Sequence, residues 1–411
     1  MAFSGYWCSG CSAEFGPAEA TYTCPRCAGN LDVIQDLQDL ARVNRGEIEA
    51  SRDPSMWRYA PLLPVTAPGP AAGALGTVGG TPLFRADALA KGLGLSRVWI
   101  KDDGRNPTGS LKDRASAVVV QRARDLGVSP IITASTGNAG VALAAMARAA
   151  GTEAVVLVPE SAPPAKIAQL QIFGARLLLV RGSYDDAFRL STEAAEELGW
   201  YCRNTGQNPF TVEGKKTVAF EIAEQLGWRA PDRVVVSVGD GNIITGVHRG
   251  FQQLADLGWI DRVPKLLGVQ AEGSSPIARA WAEGAETIEP VTAHTRADSI
   301  SAGDPSDGLR ALGAVRDSGG AFVSVPDEAI IASIAHLGRG AAVFAEPAAA
   351  AAHAGLVAAI EAGTVDRDEE VVILVTGTGL KDIDAAIQAV SASPTVIDPT
   401  MTALRAQLPA I

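Results

Sequence analysis

From Thr81 to about Asp382 the chain alternates short apolar runs with longer segments of helical spacing, and this rhythm leaves few folds open. "SRVWIKDD", "PIITAST", "EAVVLVPE", "RLLLVRG", "RVVVSVG", "KLLGVQAEG" and "VVILVTGTG" read as strands. "DRASAVVVQRARDLG", "AGVALAAMARAAG", "AKIAQLQIFGA" and "ITGVHRGFQQLADLG" carry the three-to-four-residue apolar spacing of helices. Strands that are apolar throughout must be covered on both faces. The expected architecture is therefore α/β, with parallel sheet between layers of helix.

A chain of 411 residues with 47% apolar and 20% charged residues can build a large core. Its net charge of −11, with no run of lysine or arginine, argues against nucleic acid and anionic membranes as partners. No apolar run is long enough to span a bilayer. The opening "MAFSGYWCSGCSAEF" has cysteines and an acid where the apolar stretch of a signal peptide would be. A soluble, cytoplasmic protein is the expectation.

Four of the five cysteines form two C-x-x-C turns, Cys8 with Cys11 and Cys24 with Cys27. Thiols stay reduced in the cytosol, so the spacing points to one tetrahedral zinc rather than to disulfides. With few basic residues nearby, a structural clamp is preferred to nucleic-acid binding. Cys202 stands alone and reads as core filler.

In an open α/β sheet, ligands bind where strands end and helices begin. Three such ends are rich in glycine and hydroxyls: "TASTGNAG", "SVGDGNIITG" and "VTGTGLKD". The amides at helix starts suit a carboxylate or a phosphate. Each turn alone is a weak signal, and none matches a nucleotide-binding pattern. Lys112, in "NPTGSLKDRAS", is either a solvated charge or a desolvated amine able to form an imine. Phosphate-friendly turns together with such a lysine suit pyridoxal phosphate. Four histidines, none in a G-x-S-x-G elbow, leave little scope for a serine triad.

"NPTGSLKDRAS", "TASTGNAG", "VEGKKTVAFEIAEQLG", "EPAAAA" and "TGTGLKD" together resemble threonine synthase and its relatives among the fold-type-II pyridoxal-phosphate enzymes, over some four-fifths of the chain. The resemblance implies two lobes of parallel sheet covered by helices, after a small N-terminal zinc ribbon. The expected division is ribbon 1–32, arm and linker 33–80, catalytic body 81–395 with a smaller lobe near 115–220, and tail 396–411. Lys112 would bind the cofactor covalently and then shuttle protons. Asn138 would bond the ring hydroxyl, and Thr376 would face the pyridine nitrogen. Val238, Gly239, Asp240, Gly241 and Asn242 would form the phosphate cup. Ser135, Thr136 and Ala139 would hold the substrate carboxylate, with Asn204, Thr205 and Thr211 also at the substrate. Asp113 and Arg114 are expected to form a charge pair at the helix start, and Glu346-Pro347 a turn under the ring.

Two positions depart from the family pattern. Asp240 places a carboxylate in the phosphate cup, which is unfavourable unless it turns outward or meets a cation; an outward turn is expected. Thr211 stands where threonine synthases typically carry an arginine for the substrate's phosphate. Arg105, Lys166 or Lys215 could replace it, Arg105 being the preferred candidate. The implied reaction converts O-phosphohomoserine to threonine and phosphate, in a homodimer. The alternatives are elimination or replacement on serine, threonine or O-phosphoserine, and, more remotely, a non-catalytic zinc-ribbon binding protein.

Overall fold

The apolar runs assemble into two separate sheets in a computed structural model that describes residues 3–69, 72–390 and 394–408. Small parts of the expected segments lie outside the described residues: 1–2 of the ribbon, 70–71 of the linker, 391–393 of the body and 409–411 of the tail. The larger sheet has six strands in the order Ala321–Val325, Lys265–Ala271, Arg233–Ser237, Glu370–Val375, Arg97–Asp102 and Leu83–Arg85. All pairs are parallel except the last, where Leu83–Arg85 runs antiparallel at the edge. The smaller sheet is parallel throughout, in the order Arg176–Val180, Ala154–Pro159, Ile131–Ala134 and Tyr201–Cys202. Strands such as Arg233–Ser237 and Glu370–Val375 are buried at every position, as coverage on both faces requires.

The N-terminal segment forms a three-stranded antiparallel sheet of Glu14–Phe15, Phe3–Cys8 and Leu31–Gln35. It reaches Gln35, slightly past the expected ribbon boundary, because Val33 and Ile34 continue the ladder with Tyr6 and Gly5. This sheet is tied to the loop after Cys202. Asn30 Nδ2 donates to the Gly206 carbonyl at 2.6 Å, and the Cys202 amide donates to the Tyr22 hydroxyl at 2.8 Å. The end of the expected linker is partly core: Leu75 and Val78 are fully buried. Trp57 fixes it by donating from Nε1 to the Leu75 carbonyl at 2.7 Å.

The helix Lys112–Leu126 joins the two lobes. It packs on the helix Phe210–Lys215 so closely that a Cβ on Gly214 would lie 2.2 Å from the Arg114 carbonyl oxygen. Arg114 does not pair with Asp113. Its guanidinium is buried between Asp103 (Nε to Oδ2, 2.6 Å) and Glu221 (Nη1 to Oε1, 2.6 Å), while Lys101 reaches Glu221 Oε2 at 2.7 Å. Asp113 instead accepts from the Thr108 amide at 2.7 Å, closing the turn before the helix. Sequence adjacency suggested a local pair, but side chains one residue apart on a helix point in different directions.

Burial alone would push the Glu221 carboxyl up; Arg114 and Lys101 outweigh it and hold it well below its ordinary value of 4.5. A depressed carboxyl contributes stability above its unfolded pKa and loses it as pH falls through the folded one. Glu221→Ala, which strands two buried cations, should lower stability by about 3–5 kcal/mol in denaturant titrations near pH 7. The gap between wild type and variant should narrow steadily below about pH 4.5. An unchanged midpoint at neutral pH would show that the network contributes nothing net.

Candidate active site

Lys112 stands at the first turn of its helix, where three strand ends meet. The loop before it pairs with the turn after Glu370–Val375: Ser110 bridges Gly377, and the Leu111 amide donates to the Thr376 carbonyl at 2.9 Å. Lys112 is half-buried, and its Nζ has no hydrogen bond or ion pair to other described residues. Burial lowers its pKa, Glu346 opposes the fall, and Arg203 adds to it. The solvated-charge alternative therefore does not hold.

The second strand end carries Ser135, Thr136 and Ala139 to the start of the helix Asn138–Ala149. Gly140 has to be glycine, because a Cβ there would lie 2.3 Å from the Ser135 carbonyl oxygen. Asn138 turns its amide to Glu346, donating at 2.9 Å to Oε1, and Ser299 lies 3.3 Å away. Glu346, expected only as part of a turn, is thus a direct partner of Asn138, and burial raises its pKa. Thr136, Asn138, Lys166, Asp298, Glu346 and Lys381 line a solvent-open cleft of about 470 Å³. Lys381 Nζ is buried in its wall without a partner among the described residues.

The third strand end runs from Val238 through Gly239, Asp240 and Gly241 into the helix Asn242–Asp256. Gly241 has φ +95°, and a Cβ would meet the Asp307 carbonyl oxygen at 2.7 Å. Asn242 is held between Lys215 and Asp307, donating to the latter. The Asp240 carboxylate accepts from Ser306 at 3.4 Å. Burial and Asp307 raise its pKa, whereas Lys215 and Lys112 pull it down, and it forms no ion pair with either among the described residues.

The remaining candidates separate. Thr205 accepts from Arg203 at 2.7 Å. Asn204 is saturated by protein partners: Oδ1 accepts from Thr133 and the Ala134 amide, and Nδ2 donates to Ser191 and Gln207. Thr211 is fully buried, with its hydroxyl donated to the Asn208 carbonyl at 2.8 Å. Arg105 is 72% exposed and bonded to Asp102 at 3.2 Å. Lys166 is paired with Asp298 at 2.6 Å.

The model of the pyridoxal-phosphate dependent enzyme family matches residues 74–377. Threonine synthase of Methanosarcina acetivorans is 41% identical over 400 residues, 97% of either chain. That of Methanocaldococcus jannaschii is 40% identical over 97% of this chain and 98% of its own. The chain belongs to the threonine synthase family of pyridoxal-phosphate dependent enzymes. Among solved structures, a fungal L-serine ammonia-lyase from Rhizomucor miehei superposes with TM-score 0.65 at 22% identity, over 75% of this chain and 96% of that one. That likeness shows the shared fold.

Pyridoxal phosphate, the family's cofactor, suits the residues present. The Ser110 and Ser237 hydroxyls, beside Lys112 and at the mouth of the phosphate cup, are buried without protein partners among the described residues. The Gly239–Asn242 turn runs directly into the start of the helix Asn242–Asp256, whose first amides suit a phosphate. Burial lowers the pKa of the Lys112 amine, as imine formation requires.

Away from this site, the four ribbon thiols gather with all Sγ atoms within 4.8 Å of one another. Cys8 and Cys27 are 3.5 Å apart, and Cys11 and Cys24 3.6 Å. A disulfide needs about 2.05 Å, whereas four sulfurs tetrahedral about one metal at about 2.3 Å lie roughly 3.8 Å apart. The spacing is that of a metal-binding set.

Sequence reasoning missed Arg203, Glu346 as an acceptor and Lys381. Lys381 lay inside the quoted "TGTGLKD" and Glu346 inside "EPAAAA", whereas Arg203, next to the candidate Asn204, lies outside every quoted motif.

Lys112→Ala should leave the fold intact and abolish both turnover and the absorbance of lysine-bound cofactor. Spectra of the purified variant with added pyridoxal phosphate check this. A normal spectrum would mean that another amine holds the cofactor.

Proposed function

We propose that the protein converts O-phosphohomoserine and water to threonine and phosphate, with pyridoxal phosphate on Lys112 and zinc in the ribbon. The observation that carries this reading is identity of about 40% to two archaeal threonine synthases over nearly the whole chain, with Lys112 desolvated where the three strand ends converge. When bound, pyridoxal phosphate supplies an electron sink for carbanions at the substrate's carbon atoms. The amides of Gly239 to Asn242 would hold its phosphate, and the neutral hydroxyl of Thr376 would meet its ring nitrogen. Asn138 would turn from Glu346 toward the ring hydroxyl.

The remaining work falls to this chain's side chains. Ser135, Thr136 and the amide of Ala139, at a helix start, would receive the substrate carboxylate. Lys112, its pKa lowered by burial, would take protons from the α- and β-carbons and return one to the γ-carbon, the other leaving with the phosphate. Water then gives its hydroxyl to the β-carbon and a proton to the α-carbon, so substrate and water balance threonine and phosphate. Glu346, whose carboxyl is raised by burial, would keep the proton balance near Lys112 and Lys381.

The ribbon's four thiolates would close the zinc's coordination, leaving no position for water or substrate, so its part is structural. Neither sheet nor ribbon suggests a nucleic-acid surface, and no helix among the described residues is long and apolar enough to cross a membrane. A cytoplasmic homodimer completes the proposal. The second reading, elimination or replacement on serine, threonine or O-phosphoserine, draws on Thr211, where the typical phosphate-binding arginine is missing.

Product analysis with O-phosphohomoserine, O-phosphoserine, serine and threonine side by side should give threonine and phosphate from the first alone. Release of keto acid from serine or threonine, with O-phosphohomoserine inert, would hand the function to the second reading. Metal analysis should find one zinc per chain, lost or much weakened in Cys24→Ser. Zinc content unchanged by that substitution would remove the ribbon assignment.

A further inference from the structure

We propose that Arg203, assisted by Lys215, grips the substrate's phosphate in this chain, in place of the arginine that Thr211 has displaced. This rests on the threonine synthase reading and names the residues that would give it its phosphate specificity. Arg203 is fully buried on the loop after Tyr201–Cys202. Its Nε donates to Ser116 at 3.1 Å and its Nη1 to Thr205 at 2.7 Å, while Nη2 is buried with no partner among the described residues. The other buried guanidiniums, Arg114 with Asp103 and Glu221 and Arg233 with Glu369, are neutralised, as is the largely buried Arg310 by Asp32 and Asp307. Arg203 has no carboxylate partner among the described residues. A buried charge left unpaired is strongly unfavourable, so the geometry calls for an anion that arrives from outside.

The position is right for a substrate. Ser116 follows Lys112 by four residues on one helix, so it lies one turn along the face that presents the lysine. A guanidinium held by Ser116 therefore lies one helical turn from Lys112. Lys215 is close enough for Arg203 to lower its pKa. It is fully buried, donates to Asn242 at the phosphate cup, and is wedged where a Cβ on Gly246 would lie 2.7 Å from its own Cβ. It also follows Thr211 by four residues in the helix Phe210–Lys215, so the charge absent at one position reappears one turn later on the same face. Of the carboxylates that raise the Lys215 pKa, Asp307 also pairs with Arg310, and Asp240 forms no ion pair among the described residues. Such a site favours a dianion and disfavours an unphosphorylated hydroxyl. Arg105 and Lys166 are worse placed, one exposed and the other engaged by Asp298.

The test uses the holoenzyme. Arg203→Gln removes the charge yet can still bond Ser116, and Arg203→Lys keeps a charge without the fork. For wild type and both variants, kcat and KM are measured with O-phosphohomoserine, inorganic phosphate is titrated by calorimetry, and the cofactor's absorbance is recorded. Losing one charge-assisted contact corresponds to roughly ten- to a hundredfold. Arg203→Gln should therefore raise KM and weaken inorganic phosphate by about that factor. Its kcat should change far less and its cofactor spectrum not at all, with Arg203→Lys intermediate. A merely structural arginine would alter kcat, spectrum and stability together, and that pattern overturns the proposal. So does phosphate affinity equal in wild type and Arg203→Gln, or no phosphate binding by wild type. If wild type fails to turn over O-phosphohomoserine, the functional reading falls, but the calorimetry still decides whether Arg203 is an anion site. Should Arg203→Gln not fold, Arg203→Lys decides alone: a raised KM at near-constant kcat supports the site, and an unchanged KM and phosphate affinity reject it.

Discussion

The burial of one guanidinium, that of Arg114, orders much of the molecule. It joins the loop at Asp103, the helix that begins at Lys112 and the helix carrying Glu221, with Lys101 on the far side of the same carboxylate. A planar group with fixed donor directions leaves little freedom to rotate the helix about its axis. Lys112 is two residues upstream on that helix, so its direction is set by a contact in the protein interior rather than by the lysine itself. The close approach at Gly214 completes the arrangement, because any side chain there would push the two helices apart.

Around the lysine, charge is distributed in tiers. Glu346 and Lys381 occupy the open cleft, while Asp240, Arg203 and Lys215 lie toward the phosphate cup. Burial, then Arg203 and Lys381, lower the pKa of the Lys112 amine, and Glu346 and Asp240 limit how far it falls. An aspartate in a phosphate cup looks unfavourable in isolation. Here its pKa is raised by burial and Asp307 and pulled back by Lys215 and Lys112, while its side chain meets Ser306. Position by position the site departs from local rules, and it is only as a set of charges that it becomes coherent.

The strands, the helices and the three glycine turns were legible in sequence because their signals are local: apolar runs, helical spacing, and turns in which a Cβ cannot fit. The four cysteines were legible for the same reason, through the spacing within each turn. What escaped depends on separation. Arg203 meets Ser116 across 87 residues, and Asn138 meets Glu346 across 208. Nothing in a local pattern distinguishes a guanidinium with a carboxylate partner from one without. The charge pair read into Asp113 and Arg114 failed for the complementary reason: neighbours in sequence were assigned to each other when each had a better partner elsewhere.

The N-terminal sheet touches the catalytic body at an instructive place. Asn30 and Tyr22 bond the backbone at Gly206 and Cys202, on either side of Arg203 and Thr205. The ribbon therefore behaves as a strap over the segment that presents the buried guanidinium, and the cysteine cluster is its buckle. Opening the buckle would free two backbone anchors on either side of Arg203, so the order of a segment in the interior is tied to the state of four thiols at the N-terminus.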